Sequence, residues 1–338
     1  MLVDWKETGD FFLYREMQKA GFEVRLIDLP YYTMRDRTVR LRIFLLYFKY
    51  LLQAFKVIRL STPDDIIVCW NFTTGIGVGF IARLLFRKRC ILAVNMIAHF
   101  SSKVVSFIRY IVFHSAMSWP GFYLTVNASD YISLNAKRFN ISKKNFFVLH
   151  DPVKNRFDFA VDVRDDRYVF TGGEAQRDWR IFFDMAQQLP DISFTGVARK
   201  KFFDSELVVP ANVDMRFDLD YERFSQLMAA ATLVVLPLVS TFPCGLIVIG
   251  DAGLMKKAVI ATRTPSTENY IITNKTGVLV ELGDVETMKN EVQRLFADNN
   301  ERKRLGDNLN EFLFQEFSIQ NYFERFVQIL EKIEAEQA

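Results

Sequence analysis

The chain has 338 residues, half of them apolar and a quarter charged, which suits a core-forming protein of two domains or one large one. A net charge of +3 argues against a general nucleic-acid binder, so nucleic acid is not an expected partner. Cys69, Cys90 and Cys244 lie scattered among apolar neighbours with no CxxC or Cys/His spacing. They are read as small buried hydrophobes in a reducing cytosol, and neither a disulfide framework nor a metal site is expected.

The opening "MLVDWKETGDFF" has no basic segment followed by an apolar one, so no secretory leader is read there. Thr8 to Ala20 reads as a helix with Gly21 past its end, and "FEVRLIDLP" as a strand stopped by Pro30. "MRDRTVRLRIFLLYFKYLLQAFKVIRL" reads as a long amphipathic helix. "DDIIVCW" is a strand, "TTGIGVGFIARLLF" a helix, and "KRCILAVNMIAHF" a strand with a loop. The stretch around "FHSAMSWPG" is assigned no element. "FYLTVNASDYISLNAKRF" gives strand, loop and helix, and "NFFVLHDPV" a strand. Buried-looking strands alternating with helices predict a parallel sheet covered by helices. "VKNRFDFAVDVRDD" is charged and aperiodic, and reads as a linker with the domain boundary near residue 152.

The second half restarts the pattern. "DRYVFTGGEAQRDWRIFFDMAQQLPDISFTGV" reads strand, Gly-Gly loop, helix, strand, and "ANVDMRF" a short strand. From Phe224 to Gly250 there is no charged side chain. That run is long enough to cross a membrane. Pro237, Pro243 and Gly245 interrupt it, so it reads as helix end, strand, loop and helix start. "KAVIAT" and "TGVLVELGD" are strands. Asp284 is placed to cap a helix with Met288, Val292, Leu295 and Phe296 on one face, and two amphipathic helices follow.

In open parallel sheets ligands bind beyond the carboxyl ends of the strands. The Gly-Gly loop after "RYVFT" and the loop after "TLVVLPL" both fall there. Gly245 opens a helix whose first amides, on Gly245, Leu246 and Ile247, have no partner within the helix. Together with the helix dipole they suit an anion such as a diphosphate. Asp251, six residues on, is the charge that ends the apolar run and needs a partner, in a ligand or in the protein. Gly172 and Gly173 with Arg177 are either a second anion-binding loop or a tight turn beside a solvated Arg.

The run "VVLPL", "GLIVIGDAGLMKKAVIAT", "ENYI" and "KTGVLVELGD", with the tail "ERKRLGDNLNEFLFQEFSIQNYFERFVQIL", resembles the C-terminal half of glycosyltransferase family 4, the group 1 glycosyltransferases. "GFEVRLID" and "FFVLHDPV" extend the likeness into the first half. The resemblance implies an α/β chain of the GT-B fold, two Rossmann-like domains facing across a cleft. Residues 1–152 would form the acceptor-side domain and 153–315 the nucleotide-sugar domain. A C-terminal helix over 316–338 would return to the first domain.

The resemblance further implies a retaining hexosyltransferase. It would move a sugar from a nucleotide-diphosphate sugar to a hydroxyl acceptor in cell-surface polysaccharide or lipid-linked glycan synthesis. No cofactor and no metal would be needed, because amides and basic side chains neutralise the leaving diphosphate. By the same resemblance, Gly172, Gly173, Arg177, Ser240, Thr241, Gly245, Leu246 and Ile247 hold the donor, and Asp251 takes its ribose. Gly196 to Arg199, with Met215 and Phe217, fall near the nucleobase. Thr8 and Gly9 stand in a first-domain acceptor-side loop. His99 faces the reacting sugar as the candidate catalytic residue or is an ordinary packed or surface His; His114 and His150 are read as structural.

The sequence departs from the pattern at three places. Pro243 stands where many relatives carry the first Glu of an E-x7-E pair, and Lys256 and Ala258 replace a Gly and a Pro. These departures keep open a non-catalytic GT-B scaffold and, further off, a GT-B epimerase. Arg35, Arg42, Lys49 and Lys56 recur every seven residues among Phe and Leu, with Arg37, Arg40 and Arg59 nearby. That helix is either an ordinary domain helix or a contact with an anionic membrane surface, which would make the protein cytoplasmic and peripheral on the inner face.

Overall fold

The computed structural model describes residues 2–3, 12–27, 51–96, 103–174 and 176–337. The chain divides into two units, Met1–His150 with Tyr322–Ala338, and Asp151–Asn321.

The first unit contains β1 (Leu2–Val3), α1 (Phe12–Lys19), β2 (Leu26–Ile27), a helix α2 over 51–60 and β3 (Ile66–Cys69). There follow α3 (Phe72–Leu84), β4 (Cys90–Ala93), α4 (Lys103–Met117), β5 (Phe122–Val126), α5 (Asp130–Phe139) and β6 (Phe146–Val148). The strands form one parallel sheet in the order β2-β1-β3-β4-β5-β6. β4 and β5 are buried at every position, which is why they read as continuous apolar runs rather than alternating ones. Ile67, Ile91, Phe122 and Leu124 join one core with Ala54, Val57 and Ile76. Val68, Leu92 and Tyr123 join another with Met17 and, from the end of the chain, Phe323, Phe326 and Ile329.

α4 is the element the sequence left unassigned. Its apolar residues fall on all sides: Phe107 and Ile111 face water, while Ala116 and Met117 are buried. Such a helix has no single apolar stripe to detect. The strand expected over "FEVRLIDLP" is paired only at Leu26 and Ile27 within the described residues.

The second unit contains β7 (Tyr168–Gly172), α6 (Trp179–Gln188), β8 (Ser193–Ala198), β9 (Val213–Phe217), α7 (Tyr221–Ala230) and β10 (Leu233–Leu236). It continues with α8 (Leu246–Leu254), β11 (Val259–Thr262), α9 (Thr267–Tyr270), β12 (Val278–Val280), α10 (Val285–Ala297) and α11 (Asn299–Glu316). α12 (Ile319–Ala335) starts at its end and carries the chain back to the first unit. The sheet is again parallel, in the order β12-β11-β10-β7-β8-β9. Strand alternation sends Val169, Leu233 and Val235 to one core and Phe170, Val234 and Leu236 to the other. Asp284 caps α10 by accepting from the Thr287 amide at 2.9 Å.

The charged segment after residue 152 is not a free tether. Val153, Phe157 and Val161 pack on the core beside α7 and α8, and the Val153 amide donates to Phe317 O at 2.8 Å. Charge on its outward residues hides the apolar anchors between them. The charge-free run is likewise accounted for: it supplies most of α7, all of β10, a loop and the first part of α8. Among the described residues no helix is long and apolar enough to cross a membrane.

Candidate functional site

The second sheet winds outward from β7 through β8 and β9, then returns to the other side of β7 with β10. The boundary between the carboxyl ends of β7 and β10 is therefore the topological switch point, the place where such sheets bind ligands. The two loops singled out in the sequence leave from these strands. They are laced together: Asp178 N donates to Pro237 O at 2.9 Å, Val239 N donates to Gln176 O at 3.1 Å, and Arg177 bridges to Leu238.

Arg177 lies at the centre of this crossing and is 8% exposed. Its Nε donates to Gly172 O at 2.7 Å. A Cβ on Gly173, where φ is +134°, would come within 2.6 Å of its Nη2, so glycine is what lets the guanidinium lie against the loop. On the other side, a Cβ on Gly245 would stand 3.8 Å from its Nη1. Burial pulls the Arg177 pKa down to about 10, with the Cys244 thiol acting in the opposite direction. It therefore stays cationic at neutral pH. Cys244 itself is half-buried, not fully buried as expected, and burial raises its pKa while Arg177 lowers it.

Gly245 precedes α8 with φ +82° and offers no side chain to cap it. The first amides of α8 thus open beside Arg177, with Ile247 exposed in the first turn. A guanidinium and a helix N-terminus converge on one strand gap, an arrangement whose charge and N–H donors suit an anion. Ser240 faces elsewhere: its Oγ donates to Gln176 Oε1 at 2.9 Å and accepts from the Phe242 amide at 3.3 Å, so it shapes the loop. Thr241 is exposed.

Asp251 is nearly two turns into α8, and its side chain is 3% exposed. Arg156 Nη2 donates to both of its oxygens, at 2.9 and 2.7 Å, and Tyr221 OH donates to Oδ2 at 3.1 Å. The guanidinium also lies over the Tyr221 ring, 4.9 Å from its centroid. Desolvation raises the Asp251 pKa, while Arg156 and Tyr221 pull it down. The partner that this carboxylate requires is therefore supplied by the protein. Arg156 gave no sequence signal, because it sits in an aperiodic charged stretch with no element to place it.

Lys256, which stands where the resembling pattern has Gly, has φ +54°, the left-handed conformation at the end of α8. His114 and His150 contact backbone carbonyls through Nδ1, at Phe139 and Asn127 respectively. Thr8, Gly9 and His99 lie outside the described residues, as do Arg35, Arg37, Arg40, Arg42 and Lys49. Among the described residues no group of three or more His, Cys, Asp or Glu is placed to hold a metal ion.

Residues 195–312 match the family described as Glycosyl transferases group 1. No curated protein matches in sequence. Solved structures do match. HepE of Anabaena in complex with UDP is 17% identical, covering 83% of this chain and 82% of that one, with a TM-score of 0.63. Sucrose-phosphate synthase from Thermosynechococcus elongatus is 17% identical over 92% of this chain and 83% of that one, with a TM-score of 0.66. A glycosyltransferase from Rickettsia africae is 14% identical over 95% and 88%, with a TM-score of 0.64. Two parallel α/β sheets with these likenesses define the GT-B fold. Within that fold, the part of the second unit from residue 195 to 312 is what matches the group 1 glycosyl transferases, and the chain resembles that family of transferases.

Proposed function

We propose that the protein transfers a sugar from a nucleotide-diphosphate donor to a hydroxyl acceptor, with retention at the anomeric carbon. The observation that carries this is Arg177, a buried cation held between the Gly172–Gly173 loop and the open N-terminus of α8 at the strand switch point. A diphosphate there would meet a guanidinium and a helix N-terminus, and its departure as a leaving group is stabilised by the same groups. Binding of UDP by HepE supports a nucleotide donor. In this reading Gly172, Gly173, Arg177, Gly245, Leu246 and Ile247 hold the diphosphate, with Ser240 and Thr241 bordering it, and neither cofactor nor metal takes part. Asp251 takes the donor ribose only if Arg156 and Tyr221 give way. His99 acts at the reacting sugar, and Thr8 and Gly9 on the acceptor side. The acceptor is a growing cell-surface glycan or a lipid-linked one, and the stretch 35–59 meets an anionic cytoplasmic membrane surface.

Calorimetric titration of UDP, GDP and ADP into the full chain tests the site. One of them binds, and Arg177→Ala weakens that nucleotide at least tenfold while the protein stays folded. Equal affinity in the folded variant refutes the assignment. A second reading, a non-catalytic GT-B partner, is favoured by Pro243 and by the Asp251 carboxylate already closed by Arg156. Nucleotide binding without transfer or hydrolysis of any sugar nucleotide would select it.

A further inference from the structure

The end of α3 and the turn after it form six consecutive exposed residues, Arg83-Leu84-Leu85-Phe86-Arg87-Lys88. The turn that closes the helix bonds Phe86 N to Arg83 O at 3.1 Å and Arg87 N to Ala82 O at 2.8 Å. That pattern places Phe86 at the left-handed position past the helix end, with φ +51°. Glycine and asparagine adopt this conformation readily; a bulky aromatic is disfavoured there. Burial does not compensate, because Phe86 is 84% exposed. The sequence thus keeps a large apolar ring in water at a position where local physics favours a small residue, an outlier of the kind that points to function.

The surroundings are mainly apolar and basic. α3 runs from the end of β3 to the start of β4, so this turn lies at the amino-terminal edge of the first sheet. α2 runs to the start of β3 at the same edge, and packs against α3 where Ala54 meets Gly77. Leu60 at its end is exposed, as are Leu52 and Phe55 on its outer face with Lys56 and Arg59. Arg89 ties the two ends together, donating from Nε to Ser61 Oγ and from Nη2 to Ser61 O, both at 2.9 Å. Asp64 and Asp65 lie in the turn before β3, and Asp65 is taken by Arg25 at 2.9 Å. Arg83 is held in place by Ser115 O and Ser118 Oγ.

We infer that this edge is a membrane anchor in which Phe86, with Leu84 and Leu85, enters the interface of an anionic bilayer while Arg87, Lys88 and Arg59 bind lipid headgroups. Apolar side chains ringed by basic ones match such a surface in both polarity and charge. A protein partner would have to supply an acidic rim around an apolar socket; a bilayer offers both without a socket. The anchor shares its partner, and Arg59, with the reading of residues 35–59, but it is centred on Leu84 to Lys88, which that reading does not include, and it is independent of sugar transfer.

The test is flotation of the full chain with vesicles of phosphatidylcholine alone and of equal parts phosphatidylcholine and phosphatidylglycerol, without nucleotide. The chain floats with the mixed vesicles and not with phosphatidylcholine. Phe86→Asn weakens partition about tenfold, the scale of one withdrawn aromatic ring. It leaves the melting temperature equal or higher, because Asn accepts the left-handed position. Arg87→Gln with Lys88→Gln weakens partition about fivefold per charge and reduces its salt dependence. The inference fails if the parent ignores mixed vesicles, or if both variants float as the parent does. It fails equally if Phe86→Asn abolishes self-association in sedimentation while leaving flotation unchanged.

Discussion

Removing Arg156 is expected to destabilise the protein far more than removing the charge it neutralises. Asp251 is almost wholly buried, whereas the Arg156 side chain is 35% exposed. In Arg156→Ala the carboxylate keeps only the 3.1 Å bond from Tyr221. Breaking a fully buried pair from one side costs about 3–5 kcal/mol. Access of water from the Arg156 side reduces this to roughly 2 kcal/mol. In Asp251→Asn the amide oxygen still accepts a hydrogen bond, and the guanidinium turns to water, so the cost stays below about 1 kcal/mol. The double variant therefore is more stable than Arg156→Ala alone.

The pH dependence follows from the same geometry. Desolvation already raises the Asp251 pKa from 3.8, and loss of Arg156 raises it further. The folded state then holds its proton at pH values where the unfolded chain has released it, so stability falls as pH rises through that interval. The deficit of Arg156→Ala is thus small near pH 4 and full at neutral pH. Thermal melting of the four proteins at both pH values reads this as about 4–8 °C for Arg156→Ala at neutral pH. A deficit equal at both pH values, or a double variant no better than Arg156→Ala, would refute the reasoning.

Three further outcomes are expected. Burial pushes the Asp151 pKa up to about 6 from 3.8, so its contribution to stability declines between about pH 4 and 6, by up to about 3 kcal/mol; melting of Asp151→Asn across that range should be flatter than that of the parent. Lys257 Nζ donates to Arg164 O and Ala231 O, both at 2.6 Å, and burial lowers its pKa to about 8 from 10.5. Its contribution therefore rises with pH across that window, and Lys257→Met removes the rise in alkaline melting curves while costing about 1–3 kcal/mol for the orphaned carbonyls. Gly245→Ala meets nothing nearer than 3.8 Å, so its cost is the backbone strain of φ +82°, about 1–2 kcal/mol; calorimetry should show weaker nucleotide binding as α8 shifts from Arg177.

Much of the fold was legible because strands buried on both faces are short continuous apolar runs, and those of β3, β4, β10 and β11 are written that way. Asp284 announced α10 because a cap acts within three residues. α4 was not legible, since apolar residues facing both core and water erase its period. The segment after Pro152 was hard to read for the opposite reason: apart from Arg156, which is bonded to Asp251, its charges are mostly exposed and conceal Val153, Phe157 and Val161, which pack inward.

In the site, chain-local chemistry carried far. Gly172, Gly173, Arg177 and Gly245 were marked by residue type at strand ends, and the structure brings them to one crossing. Sequence by itself also established that Asp251 needed a partner, because a carboxylate in an apolar helix cannot stand alone. Which partner it takes was decided by tertiary structure. Arg156 is 95 residues away, and Ser240 turns to Gln176, 64 residues away. Propensity and periodicity act over one or two turns of chain, whereas these pairings depend on how loops from separate strands cross. The exposed Phe86 belongs to the same lesson: its residue type reads as core, and only the left-handed end of α3 turns it into water.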